Sequence, residues 1–110
     1  MEVQKLDRVF HALADPLRLT MVEQLSRGPA SVKELAAPLD LALPSAVKHL
    51  QLLEQTGIVR SNKAGRVRTY DLRPDGLAPV ADWVRRREAA LGAAFDWLAQ
   101  AMRDFPEEGA

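Results

Sequence analysis

The 110-residue sequence contains no cysteine, which excludes a disulfide framework, a thiolate metal site and a thiol nucleophile. Aromatic residues make up only 5%, so a core must be built mainly from aliphatic side chains. No apolar run approaches the ~18 to 20 residues that cross a bilayer. The opening Met1-Glu2-Val3-Gln4-Lys5 lacks the apolar stretch of a signal peptide. A cytoplasmic chain with no membrane partner is the expectation. Net charge is missing too, because 15 basic residues face 15 acidic ones.

What is present is a sorted chain. Residues 1–30 hold four basic and four acidic residues, residues 31–73 hold seven and four, and residues 74–110 hold four and seven. The middle third can therefore attract phosphate while the last third cancels it in the total. With 47% hydrophobic and 27% charged residues, the chain is neither disordered nor membrane-bound. Its length suits one core, so a single domain is expected over residues 1–105, with 106–110 as a frayed tail.

Val3, Leu6, Phe10 and Leu13 recur at helical spacing and define the apolar face of a first helix. Asp15-Pro16 then supplies a cap and a first-turn proline for a second helix, with Leu17, Met21, Val22 and Leu25 as its buried stripe. Ser31-Val32-Lys33-Glu34 has capping-box spacing and opens a short third helix ended near Pro38. Pro44 opens a fourth that runs to Thr56-Gly57, and the two short helices joined tightly read as a helix-turn-helix. From Ile58 the texture is β-prone. Val67 to Leu72 and the preceding stretch form a hairpin turning at Ala64-Gly65, rich in basic residues at Arg60, Lys63, Arg66, Arg68 and Arg73. The fold class is thus mainly α, a winged helix-turn-helix with about five helices and a two-stranded antiparallel wing.

On the fourth helix Leu43, Ala46, Leu50 and Leu53 share a face assigned to the core. Ser45, Val47, Lys48 and Gln51 are left outward. These four side chains can meet phosphates, base edges and a thymine methyl, and Lys63, Arg66 and Arg68 on the wing can meet phosphate, which makes double-stranded DNA the expected partner. His49, at the edge of the buried face, has two open readings: a bond within the protein or a phosphate contact. The only histidines, His11 and His49, are 38 positions apart and there is no cysteine, so no closed transition-metal site within one chain and no cofactor is expected, which leaves a carboxylate-rich or intersubunit site open. No enzyme is expected either, because the nucleophile-elbow, phosphate-loop and zinc-protease patterns are all missing.

The last helix carries Leu77, Val80, Val84, Leu91, Phe95, Leu98, Met102 and Phe105 as a heptad-like seam interrupted by Glu88. Unbroken it would be ~40 Å long, longer than a compact domain of this size is wide at ~34 Å, so part of the seam calls for a second copy of the chain. Arg85-Arg86-Arg87 reads as a solvated surface, since consecutive helical residues point in different directions. Trp83 and Trp97 flank the seam and leave open either simple packing or an unidentified organic effector.

Ala14-Asp15-Pro16-Leu17-Arg18-Leu19, Val32-Lys33-Glu34-Leu35-Ala36, Pro44 through Leu53 with Thr56-Gly57-Ile58-Val59, and Gly65-Arg66 through Tyr70-Asp71-Leu72 together resemble the ArsR/SmtB family of bacterial winged-helix repressors. The resemblance implies a homodimer joined through its first and last helices, two recognition helices on a palindromic operator, repression of transcription, and release by an effector. The interface is then expected at Leu6, Phe10, Leu91, Phe95 and Leu98. Thiols of the metalloid-sensing pattern are replaced by Ser31, Lys33 and Ala36, which points to a cysteine-free branch that does not sense metals. A winged-helix module for protein contacts, without DNA binding, is the competing reading; the cationic wing argues against it.

Overall fold

The computed structural model describes residues 2–104; for residues 2–4 the backbone alone is described. Phe105 and the 106–110 tail lie outside the described residues. The chain divides into two compact units, Met1–Val80 and Ala81–Ala110. In the first, helix α1 (Glu2–Leu13) is followed by α2 (Pro16–Leu25), strand β1 (Ala30–Ser31), α3 (Val32–Ala36), a 3-10 turn (Ala37–Leu39), α4 (Leu43–Gln55), β2 (Val59–Ala64) and β3 (Val67–Leu72). Helix α5 (Ala78–Asp104) starts there and makes up the described part of the second unit.

The helix starts follow their local chemistry. The Asp15 carboxylate accepts from the Leu17 and Arg18 amides at 2.8 and 3.2 Å, with Pro16 at the first helical position. At α3 the capping box is complete: the Glu34 amide donates to Ser31 Oγ at 3.2 Å, and the Ser31 amide donates to the Glu34 carboxylate at 2.9 Å. After the 3-10 turn Asp40 adopts a left-handed conformation, φ 51°, which redirects the chain into α4.

One strand went unread in the sequence. Beyond the β2–β3 hairpin, β1 pairs antiparallel with β3, Ala30 opposite Tyr70 and Ser31 opposite Thr69, giving a three-stranded sheet ordered β1-β3-β2. Ser31 therefore both pairs with the wing and caps α3. The helix-turn-helix and the wing share a root.

The core of this unit gathers Val9, Ala12, Met21, Val22, Leu25, Leu35, Ala46, Leu50, Leu53, Ile58, Val59 and Tyr70. One stripe assignment shifts, in α4. In α1 the core takes Val9 and Ala12 with Leu13 packed against it, while Leu6 is half-buried and Phe10 exposed. In α4 the core takes Ala46, Leu50 and Leu53, but Leu43, in the first turn of the helix, is 44% exposed, while Leu39 and Leu41 just before it pack against the core. The second unit buries none of its described side chains: Leu91, Phe95, Leu98 and Met102 are 56%, 60%, 48% and 65% exposed. At its start α5 packs Val80 against the core, whereas these later apolar residues are exposed.

Candidate nucleic-acid interface

Helix α4 presents two chemically different sides. Ala46, Leu50 and Leu53 lock it to the core, and the remaining positions carry Ser45, Lys48 and Gln51 exposed and Val47 half-buried. The sequence-read set thus lies on one helix within two turns, offering a hydroxyl, an ammonium, an amide and a pair of methyl groups.

The wing sorts its charges by face. In the β2–β3 register Arg60 stands opposite Asp71 and Lys63 opposite Arg68. Arg60 grips Asp71 through Nε and Nη2 at 3.1 to 3.3 Å. That contact holds its guanidinium even further above the ordinary range. Arg73 lies 3.5 Å from Asp75. Both of these arginines are neutralised within the chain. Lys63 and Arg68 instead form a like-charged cross-strand pair, an arrangement that costs stability unless an anion joins it. Arg66 follows Gly65, whose φ of 63° makes the two-residue turn; both are exposed.

Arg68 is also anchored. Its Nη1 donates to Ser61 Oγ at 2.9 Å, and the Ser61 hydroxyl donates to the Glu54 carboxylate of α4 at 2.8 Å. This short chain of bonds ties the end of the helix to the wing. Tyr70, opposite Ser61 in the register, has its phenol pushed up by burial and by the nearby Glu54 charge, against a smaller opposing pull from Arg68.

Sequence reasoning missed Arg18, a basic residue in a helix that it treated only for its apolar stripe. Its side chain, 12% exposed, donates to Ala12 O at 2.6 Å and bonds His49 Nδ1 at 3.0 Å. Of the two readings of His49, the structure shows the bond within the protein. Among the described residues no group of three or more His, Asp or Glu side chains is placed to hold a metal ion.

In α5, Arg85 pairs with Asp82 and the Arg87 guanidinium lies 5.5 Å from the Trp83 ring centre. Trp97 is 72% exposed. Fourteen residues separate the tryptophans, or ~21 Å along a helix, so a single small molecule does not touch both on one chain.

Residues 13–62 match the family model of a helix-turn-helix domain. The HTH-type transcriptional regulator Rv2034 of Mycobacterium tuberculosis (strain ATCC 25618 / H37Rv) is 43% identical over 74 residues, 67% of this chain and 69% of that protein. A crystal structure of an ArsR family transcriptional regulator is 43% identical, with a TM-score of 0.75 over 81% of this chain and 92% of that one. The chain belongs to the ArsR family of transcriptional regulators. The transcriptional repressor SdpR of Bacillus subtilis (strain 168) is 25% identical over 79 residues, 72% of this chain and 88% of that protein. As an ArsR-family winged helix-turn-helix protein, this chain is a DNA-binding transcriptional regulator. Among the described residues, no helix is long and apolar enough to cross a membrane.

Proposed function

We propose that this ArsR-family regulator is a homodimeric repressor that binds an inverted-repeat operator in the cytoplasm. Each α4 enters a major groove and each wing flanks it. Ser45, Val47, Lys48 and Gln51 discriminate bases, and Lys63, Arg66 and Arg68 supply phosphate or minor-groove affinity. Leu6 and Phe10 of α1 with Leu91, Phe95 and Leu98 of α5 form the dimer interface. Residues 1–105 act as one DNA-binding and dimerising domain, without catalysis and without a metal or other cofactor; an organic effector is the proposed means of release.

The observation that carries this reading is the like-charged Lys63–Arg68 pair beside exposed Arg66, on the same unit as a helix whose polar side is uncovered. An arrangement that is unfavourable in the free protein becomes favourable against a polyanion. The uncovered seam of α5 supports the dimer, and the name of SdpR supports repression. The deciding experiment selects duplexes from a random pool and maps them by footprinting. Recovery of an inverted repeat protected by two chains is expected. Recovery of no sequence, or binding by one chain to an asymmetric site, refutes the proposal.

A further inference from the structure

We propose that Arg18 is a positioning residue for DNA recognition: through His49 it fixes the rotation of α4 against the end of α1. This rests on the reading of α4 as the recognition helix. The guanidinium leaves α2 and joins two other elements. Nε donates to Ala12 O at 2.6 Å and Nη2 to His11 O at 3.4 Å, both carbonyls in the last turn of α1, while Nη1 meets His49 Nδ1 on α4 at 3.0 Å. Acceptors in that last turn lack intrahelical donors; His11 O also accepts the Ala14 amide at 3.1 Å, so the short bond to Ala12 O is the main tie, and a cation suits that end of the helix. Asp15 Oδ2, 4.0 Å from Nη1, adds a counter-charge.

The bonding pattern is directional. Arginine only donates, so Nδ1 of His49 accepts and the ring proton resides on Nε2. A planar fork held by partners on two helices has little freedom, and an ammonium cannot reproduce it. His49 lies between Lys48 and Leu50, at the border of the outward and buried sides of α4. Rotating the helix by ~20° about its axis would sweep a side-chain tip 5 to 6 Å from that axis through ~2 Å, more than a base-edge hydrogen bond tolerates. Neither Arg18 nor His49 needs to touch DNA for this effect.

The test uses the full chain with Arg18→Lys, His49→Leu and His49→Asn, the last of which offers a carbonyl oxygen where Nδ1 stood. Affinity is measured across salt for the duplex that the unmodified protein selects from a random pool, and for poly(dI-dC). Thermal melting and the 15N signals of the His49 ring are recorded on the free proteins. Arg18→Lys and His49→Leu should lose about tenfold on the selected duplex, the worth of one misplaced base contact. Their affinity for poly(dI-dC) and their salt slopes should stay unchanged. His49→Asn should bind within about threefold of the parent, and Nδ1 should give the signal of an unprotonated nitrogen. Equal losses on both DNAs, a salt slope lower by about one, parental binding by His49→Leu, or a protonated Nδ1 each overturn the proposal. Should Arg18→Lys fail to fold, the two His49 variants decide alone. If the unmodified protein selects no duplex, the DNA reading fails and takes the proposal with it; if it selects one and His49→Leu binds it normally, only the proposal fails.

Discussion

Removing one cation from the wing should have a consequence that depends on its partner rather than on its charge. Arg66→Ala, Lys63→Ala and Arg60→Ala each subtract one positive charge. Arg60 is already held by Asp71 at 3.1 Å, whereas Arg66 and Lys63 are exposed and bonded to no carboxylate among the described residues. If each unpaired cation neutralises one phosphate, its loss flattens the slope of log affinity against log salt by about 0.9. Between 50 and 200 mM salt that difference amounts to about 3.5-fold: the advantage of the parent over Arg66→Ala should shrink by this factor as salt rises. Arg60→Ala should leave the slope near the parental value, and Asp71→Asn, which frees Arg60, should steepen it. Fluorescence anisotropy with the selected duplex at four or more salt concentrations reads these slopes directly. Equal flattening by Arg60→Ala and Arg66→Ala would refute the reasoning, because it would show that overall charge matters and pairing within the wing does not.

Leu98→Glu or Phe95→Glu would bury an unpaired carboxylate in the proposed interface, so sedimentation should show monomer or unfolded chain in place of dimer, and an unchanged dimer mass would remove α5 from the interface. Gly76→Ala should destabilise the fold by about 1 to 3 kcal/mol in chemical denaturation, since an added Cβ would stand 2.6 Å from the Ile58 carbonyl oxygen; a change within error would show that the backbone there yields freely. The Asp15 carboxyl is held below its ordinary 3.8 first by the Arg18 amide and then by the Leu17 amide, and Glu34 below 4.5 by the Ser31 amide and hydroxyl. Their contribution is full above those ordinary values and is lost as pH falls through the lowered ones, so Asp15→Asn and Glu34→Gln should flatten the acid limb of stability while keeping the caps. Titration with zinc or arsenite in a chelator-washed sample should leave operator affinity unchanged, and a stoichiometric zinc uptake that weakens binding tenfold, or ~1.4 kcal/mol, would contradict the metal-independent reading.

The elements that were legible in the sequence are those whose cause is local. Pro16, the Ser31–Glu34 box and the Gly65 turn each act over a few residues, and the structure has helix starts and a hairpin where they stand. Strand β1 escaped because two residues show no periodicity and its partner Tyr70 is distant in sequence. Periodicity also gives spacing without saying where a stripe ends: in α4 Ala46, Leu50 and Leu53 are buried as expected while Leu43, on the same stripe, is exposed. Arg18 was read as part of the Ala14–Leu19 stretch but without a role, because only the approach of α1 and α4 around it reveals its bonds.

The same distinction explains how a chain with no net charge can be built to meet DNA. Aspartate accompanies the cations that hold the fold: Asp15 lies beside Arg18, Asp71 grips Arg60, Asp75 approaches Arg73, and Asp82 pairs with Arg85. Each such pair carries no net charge, so it attracts a phosphate less than an unpaired cation does. Lys48 on α4 and Lys63, Arg66 and Arg68 on the wing have no aspartate or glutamate bound to them among the described residues. Counter-ions in solution neutralise them instead, and those ions are released when a polyanion takes their place. Affinity gained this way does not depend on the total of fifteen against fifteen; it depends on which cations the fold has left without an internal carboxylate. A variant that adds a carboxylate opposite Lys63, Arg68→Glu, should therefore weaken binding by more than Arg68→Ala, since it removes one contact and occupies the cation of a second.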